Sequence, residues 1–112
     1  GMYEEAFPVY TKLLTISPTD ADLNYKYGTC VVMLDKDSDK ALKRLLYAEK
    51  NGKSDKEVAY FIGRAYENKK DYQKAIEYYQ RFELAGDKSE VKKLKVKNRI
   101  KTCEKLLKNE SN

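Results

Sequence analysis

The sequence predicts an all-α fold, a stack of helix–turn–helix units, and three observations carry that prediction. First, two short residue patterns recur in step along the chain at intervals of 34 or 35 residues. Second, charged residues make up 37% and the apolar set 41%, a balance that suits helices with one buried stripe and broad solvated faces. Third, the 112 residues contain only two prolines and no Gly/Ser-rich or other low-complexity linker, so the chain reads as one domain.

The recurring patterns set the element order. Ala6, Tyr10 and Leu13 match Ala41, Leu45 and Ala48, and these match Ala75, Tyr79 and Phe82. Between them, Tyr27-Gly28-x-x-Val31 returns as Ile62-Gly63-x-x-Tyr66. Gly28 and Gly63 are 35 apart while Ala41 and Ala75 are 34 apart, so one extra residue falls in the polar stretch Asp35–Asp39. Loops absorb such insertions at little cost. Ser17-Pro18, Gly52-Lys53 and Gly86-Asp87 fall at equivalent places and each is suited to stop a helix. The expected helices cover 3–15, 20–34, 39–51, 55–69, 72–85 and 88–108. Thr19 and Asp20, then Ser54 or Asp55, then Asp71 are the expected N-caps. Pro8 implies that the first helix starts late or bends there.

The final segment departs from the repeat, because Lys97 and Asn109 would occupy the glycine and alanine positions. Val96, Ile100, Cys103 and Leu107 keep helical spacing, with Val91 and Leu94 read as extending the same stripe. A long helix, apolar on one side and Lys-rich on the other, can close the open end of a solenoid.

These residues resemble the tetratricopeptide repeat, a 34-residue helix pair with the pattern W-x2-L-G-x2-Y…A-x3-F…P. The resemblance covers residues 3 to about 86. It implies a solenoid of one half motif (residues 2–18), two full motifs (20–53 and 54–87) and a capping helix (88–108). Departures are Asn24 and Ala59 at the usual Trp place, and Pro18 as the only retained terminal proline. The resemblance further implies a protein- or peptide-binding concave groove lined by Tyr25, Thr29 and Val32 from the first full motif and by Tyr60, Arg64 and Glu67 from the second. Tyrosine suits such a groove, offering apolar area with a polar tip; the alternative for Tyr25 and Tyr60 is packing between helices. One subclass binds C-terminal carboxylates through Lys and Asn at groove positions, but Tyr25, Thr29, Tyr60 and Arg64 replace them here, so that activity does not carry over.

A narrower resemblance runs through Ala21-Asp22-Leu23-Asn24-Tyr25-Lys26-Tyr27-Gly28, Gly63-Arg64-Ala65-Tyr66, Ala75-Ile76-Glu77-Tyr78-Tyr79 and Arg99-Ile100-Lys101-Thr102-Cys103-Glu104. These pieces are similar to a bacterial subfamily in which such a unit precedes a β-propeller and an outer-membrane-protein-A-like domain. It implies a periplasmic, envelope-associated scaffold; without it the default address is cytoplasmic. Gly1 ahead of Met2 reads as a residue left by tag removal, so native flanks are expected beyond both ends.

Composition argues against catalysis. With no histidine, His-based acid–base, triad and metal chemistry are excluded. Cys30 and Cys103 lack metal-ligand spacing and read as small buried side chains, and no Gly-rich phosphate loop occurs. Asp35, Asp37 and Asp39 alternate as in a calcium loop, but the glycine and distal glutamate are missing, so a helix-capping turn is expected. We therefore expect no enzyme, no cofactor and no metal, and no apolar run is long enough to insert into a membrane.

The net charge of +5 is unevenly placed: residues 88–112 carry +6 and residues 1–87 carry −1. Lys92, Lys93, Lys97 and Lys101 head a basic surface that offers an alternative function, binding nucleic acid or another anionic surface. The segment from Lys88 onward has no aromatic residue, so base stacking has no support and a solvated outer face is the simpler reading. Finally, a solenoid opened at its first helix is expected to leave an apolar face near Phe7, Tyr10 and Leu14, on which a second copy can sit.

Overall fold

A computed structural model describes residues 1–53 and 57–110, and no strand occurs among them. Seven helices follow one another: α1 (Met2–Ile16), α2 (Ala21–Met33), α3 (Ser38–Lys50), α4 (Glu57–Asn68), α5 (Tyr72–Ala85), α6 (Lys88–Lys93) and α7 (Val96–Glu110). The molecule is elongated, 46 × 29 × 28 Å. Each helix packs mainly on its neighbours: α1 on α2, α2 on α3, α3 on α4, α4 on α5, and α5 on α7. This is a helix-pair solenoid, as expected.

The two recurring patterns meet at the helix crossings. Gly28 of α2 faces Leu45 of α3, where a Cβ would stand 2.7 Å from Leu45 Cγ. Gly63 of α4 faces Tyr79 of α5, where a Cβ would stand 2.7 Å from the ring. Ala41, Leu45, Ala48, Ala75, Tyr79 and Phe82 are all completely buried. Glycine on one helix and alanine on the next let the backbones approach closely enough for these large side chains to seat.

Local chemistry starts and stops each element. Asp20, Asp37 and Asp71 each accept a bond from the backbone N–H three residues on, at 3.0, 3.1 and 3.3 Å. Asp87 caps α6 by accepting from the backbone N–H of Ser89, two residues on, at 2.9 Å. The expected cap at Ser54 or Asp55 lies outside the described residues. Of the helices that end on left-handed residues, three close alike, at Asp35 (φ 49°), Gly52 (φ 104°) and Lys70 (φ 70°). In each, the following N–H bonds back five residues: Lys36 to Val31, Lys53 to Ala48, and Asp71 to Tyr66. This geometry also locates the extra residue. Asp71 both closes the end of α4 and caps α5, whereas Lys36 closes α2 and Asp37 separately caps α3. Lys36 is therefore the insertion, inside the stretch expected to hold it.

Four expectations need correction. The terminal segment is two helices and not one, broken at Leu94-Lys95, with Lys95 left-handed at φ 55°. At about 100° per residue, an unbroken helix would point Leu94 nearly opposite to Val96. The break turns Val91 and Leu94 onto the same core as Val96, Ile100 and Cys103, which pack on α5. α1 starts at Met2 and continues past Pro8, which is exposed, so the proline sits inside the helix and does not delay its start. The open apolar face is also not the one expected. Leu14 is buried, Phe7 stacks on Tyr27 at 5.6 Å, and Tyr10 packs on the same cluster, so α2 covers that side. The exposed apolar residues of α1 are instead Met2, Val9, Leu13 and Ile16. The fourth correction concerns the groove and follows below.

Candidate functional site

α2 presents Tyr25, Thr29 and Met33 one turn apart, and α4 presents Tyr60, Arg64 and Glu67 in the same manner. Two clefts border these residues. The first, about 160 Å³, lies between α1 and α2 and is lined by Tyr3, Ala6, Tyr10, Tyr25, Thr29 and Cys30 among others. It is almost entirely apolar where it is accessible, as expected for small and aromatic walls. Tyr25 is held at its rim, edge-on to Phe61 at 6.1 Å and with Lys53 Nζ 5.0 Å from its ring.

The second cleft, about 560 Å³, lies between α4 and the α6–α7 turn, with Met33 reaching into it from α2. Tyr60, Arg64 and Glu67 form one wall; Lys93, Leu94, Lys95, Asn98, Arg99 and Thr102 form the other. Arg64 Nη1 donates to Tyr60 Oη at 3.1 Å, which fixes the guanidinium over the tyrosine. Glu67 faces inward: its Oε1 accepts from Tyr79 Oη at 2.6 Å and from Arg99 Nη1 at 3.4 Å. Burial raises the Tyr79 phenol well above its ordinary range, and the bond to Glu67 adds to this. The same surroundings, burial first and Glu67 second, push the Cys103 thiol up to about 12. The glutamate is thus the hub of a network joining α4, α5 and α7.

The six groove positions therefore divide. Tyr25 and Thr29 line the apolar cleft, and Arg64 and Glu67 line the charged one. Val32 does not belong, being 2% exposed and part of the core beneath α2. The groove side of α2 continues through Met33, four residues on from Thr29; Val32 is rotated away from it by about 100°. Tyr60 is only 3% exposed and packs against Phe61, Tyr79 and Phe82, so it serves mainly as a wall between helices. Asn24, at a position where tryptophan was the pattern, is fully buried and bonds Pro18 O and Asp20 O through Nδ2, at 3.1 and 2.8 Å. It fastens the start of α2 and is not a site residue.

The basic residues are scattered among different surroundings. Lys93 lines the charged cleft, Lys92 and Lys97 border a separate depression beside Glu83 and Lys88, and Lys101 lies on the exposed side of α7. Arg99, which contributes to the positive charge of residues 88–112, is half-buried on Glu67. Asn98 and Thr102 also escape a sequence reading that treats 88–108 as one helix, because only the break at Lys95 turns them toward α4.

Asp35, Asp37 and Asp39 form no cation cage. Asp37 caps α3, Asp39 pairs with Lys69 at 2.6 Å, and no cluster of three metal-ligating side chains occurs among the described residues. Cys30 and Cys103 are both buried and free. No helix among the described residues is long and apolar enough to cross a membrane.

Paired helices with glycine-to-large-residue crossings and repeated left-handed helix stops define a solenoid of tetratricopeptide type. Residues 56–82 match the tetratricopeptide repeat family model. No curated protein matches the chain. Repeats of this family generally mediate protein–protein interaction and are typically not enzymatic.

Proposed function

We propose that this chain is a non-catalytic scaffold that binds a partner protein along the side of α2 and α4, through the apolar cleft between α1 and α2 and the charged cleft between α4 and the α6–α7 turn. The observation that carries this reading is that Tyr25, Thr29, Arg64 and Glu67, expected from their repeat positions to face a partner, border concave surface. An apolar cleft beside an aromatic rim and a charged cleft with fixed guanidinium geometry supply the anchoring and orienting elements of a protein-binding site. Tyr60 stands behind the wall and contributes rigidity. The cell-envelope setting rests on the narrower sequence resemblance and is checked by fractionating cells that express the full-length protein.

The test uses a photo-crosslinking amino acid placed singly in the full-length protein. Positions 29 and 64 sample the groove; positions 77 and 101 sample exposed outer faces. A scaffold of this kind crosslinks one partner from 29 and 64 and not from 77 or 101. Equal adducts from all four positions, or adducts only from 101, would remove the groove from consideration. The second outcome would favour the alternative, binding of nucleic acid or another anionic surface by the Lys-rich outer side of α7.

A further inference from the structure

The charge balance of the cleft between α4 and the α6–α7 turn specifies the partner chemistry; this inference rests on the groove reading above. Four cationic side chains line it, Arg64, Lys93, Lys95 and Arg99, against one carboxylate, Glu67. That carboxylate is already engaged by Tyr79 Oη and Arg99 Nη1. No carboxylate among the described residues lies within ion-pair distance of Arg64, Lys93 or Lys95. Three cations are thus gathered around a concavity without an anion of their own.

We propose that the cleft seats an acidic segment of a partner protein, with side-chain carboxylates of Asp or Glu on Arg64, Lys93 and Lys95. Arg64 is suited to the first of these. Its Nη1 bond to Tyr60 Oη holds the planar guanidinium in place, and its remaining N–H groups can grip a carboxylate from the side. Lys93 and Lys95 flank the left-handed turn and add two mobile point charges across the gap. Met33 and Leu94 give apolar contact for the residues between the acids.

A nucleic acid fits this cleft less well. Its one aromatic residue, Tyr60, is 3% exposed and covered by Phe61 and Phe82, so it offers no face on which a base can stack. The cleft is also too small, at about 560 Å³, for more than a few side chains.

The experiment is fluorescence anisotropy on the whole chain, with a labelled ten-residue peptide of alternating Glu and Leu. Acetyl and amide caps remove the peptide's terminal charges, so binding through a terminal carboxylate cannot contribute. The Gln counterpart and a ten-nucleotide oligo-dT are compared at low salt. The Glu peptide is expected to bind at least tenfold more tightly than the Gln peptide. Combining Arg64→Gln with Lys93→Gln should weaken it at least tenfold, whereas Lys101→Gln with Lys105→Gln, outside the cleft, should leave it within twofold. Thermal melts of both variants establish that each remains folded.

Three results would overturn the proposal: no preference for Glu over Gln, equal weakening by both pairs of substitutions, or oligo-dT as the tighter ligand lost with Arg64 and Lys93. If any of these occurs while positions 29 and 64 still crosslink the partner, the acidic chemistry fails and the groove stands. Loss of both sets of results removes the groove as well.

Discussion

Tyr79 and Leu45 sit opposite glycines at equivalent crossings, yet they differ in freedom to move. The Tyr79 ring is fixed at its far end by the 2.6 Å bond to Glu67, while Leu45 is held by packing alone. A methyl group added at Gly63 would stand 2.7 Å from a ring tethered at its far end; one added at Gly28 would stand 2.7 Å from Cγ of the buried Leu45, which no hydrogen bond tethers, and 3.3 Å from the Ala41 carbonyl oxygen. Overpacking costs about 1–3 kcal/mol, offset by about 1 kcal/mol of improved helix propensity. Gly63→Ala should therefore lose about 1–2 kcal/mol in urea unfolding, and Gly28→Ala a smaller amount. Equal losses would mean that the tether to Glu67 does not restrain the ring. The same residues set an alkaline limit on stability. Cys103, pushed up to about 12 from an ordinary 9.0, and Tyr79, raised from 10.0, keep their protons longer in the folded chain than in the unfolded one. Their contribution is complete below about pH 9 and declines as pH rises beyond it. The midpoint of thermal unfolding should thus hold through neutral pH and fall from about pH 9 upward, and Cys103→Ser should flatten part of that fall.

At the scale of elements, the turns decide what is legible in sequence. Gly28, Gly63 and the alanines could be read because each repeats in register and each has a steric reason to be small. Gly52 announced a helix stop because glycine is the residue expected at positive φ. Asp35, Lys70 and Lys95 adopt the same backbone without being glycine, so composition does not reveal them. The break at Lys95 did leave a trace, since Leu94 and Val96 cannot share a face of one helix. The charged cleft depends on that break, which is why half its wall was invisible beforehand. Tyr60 was ambiguous for another reason: tyrosine suits both a groove and a core, and only the crowding by Phe61, Tyr79 and Phe82 decides between them. A left-handed lysine costs about 1–2 kcal/mol, and a glycine there recovers this less about 0.5–1 kcal/mol of extra chain entropy. Lys95→Gly should accordingly unfold at an equal or slightly higher temperature, and Lys95→Ile should lower the midpoint by several degrees, measured by circular dichroism. A higher midpoint for the isoleucine variant would argue that residues 88–108 can revert to one continuous helix.

Over the whole molecule, contacts run from neighbour to neighbour and no central core gathers all seven helices. The two ends are unequal. α7 is fastened to α5 by Val96, Ile100 and Cys103 and to α4 by Arg99 on Glu67. α1 leans mainly on α2, with Val9, Leu13 and Ile16 open to water. Hydrogen exchange should therefore be fastest in α1 and slowest in α4 and α5, with α7 intermediate. Protection of α1 equal to that of α5 would show that the stack unfolds as a single unit.

The tie from Arg99 to Glu67 also gives the molecule a direction. An array tethered at one extremity and loose at the other frays progressively from its loose side, like a zipper with a stop at one end. The charged cleft lies beside the stop, so its walls should still be in place when the first helix has already come away.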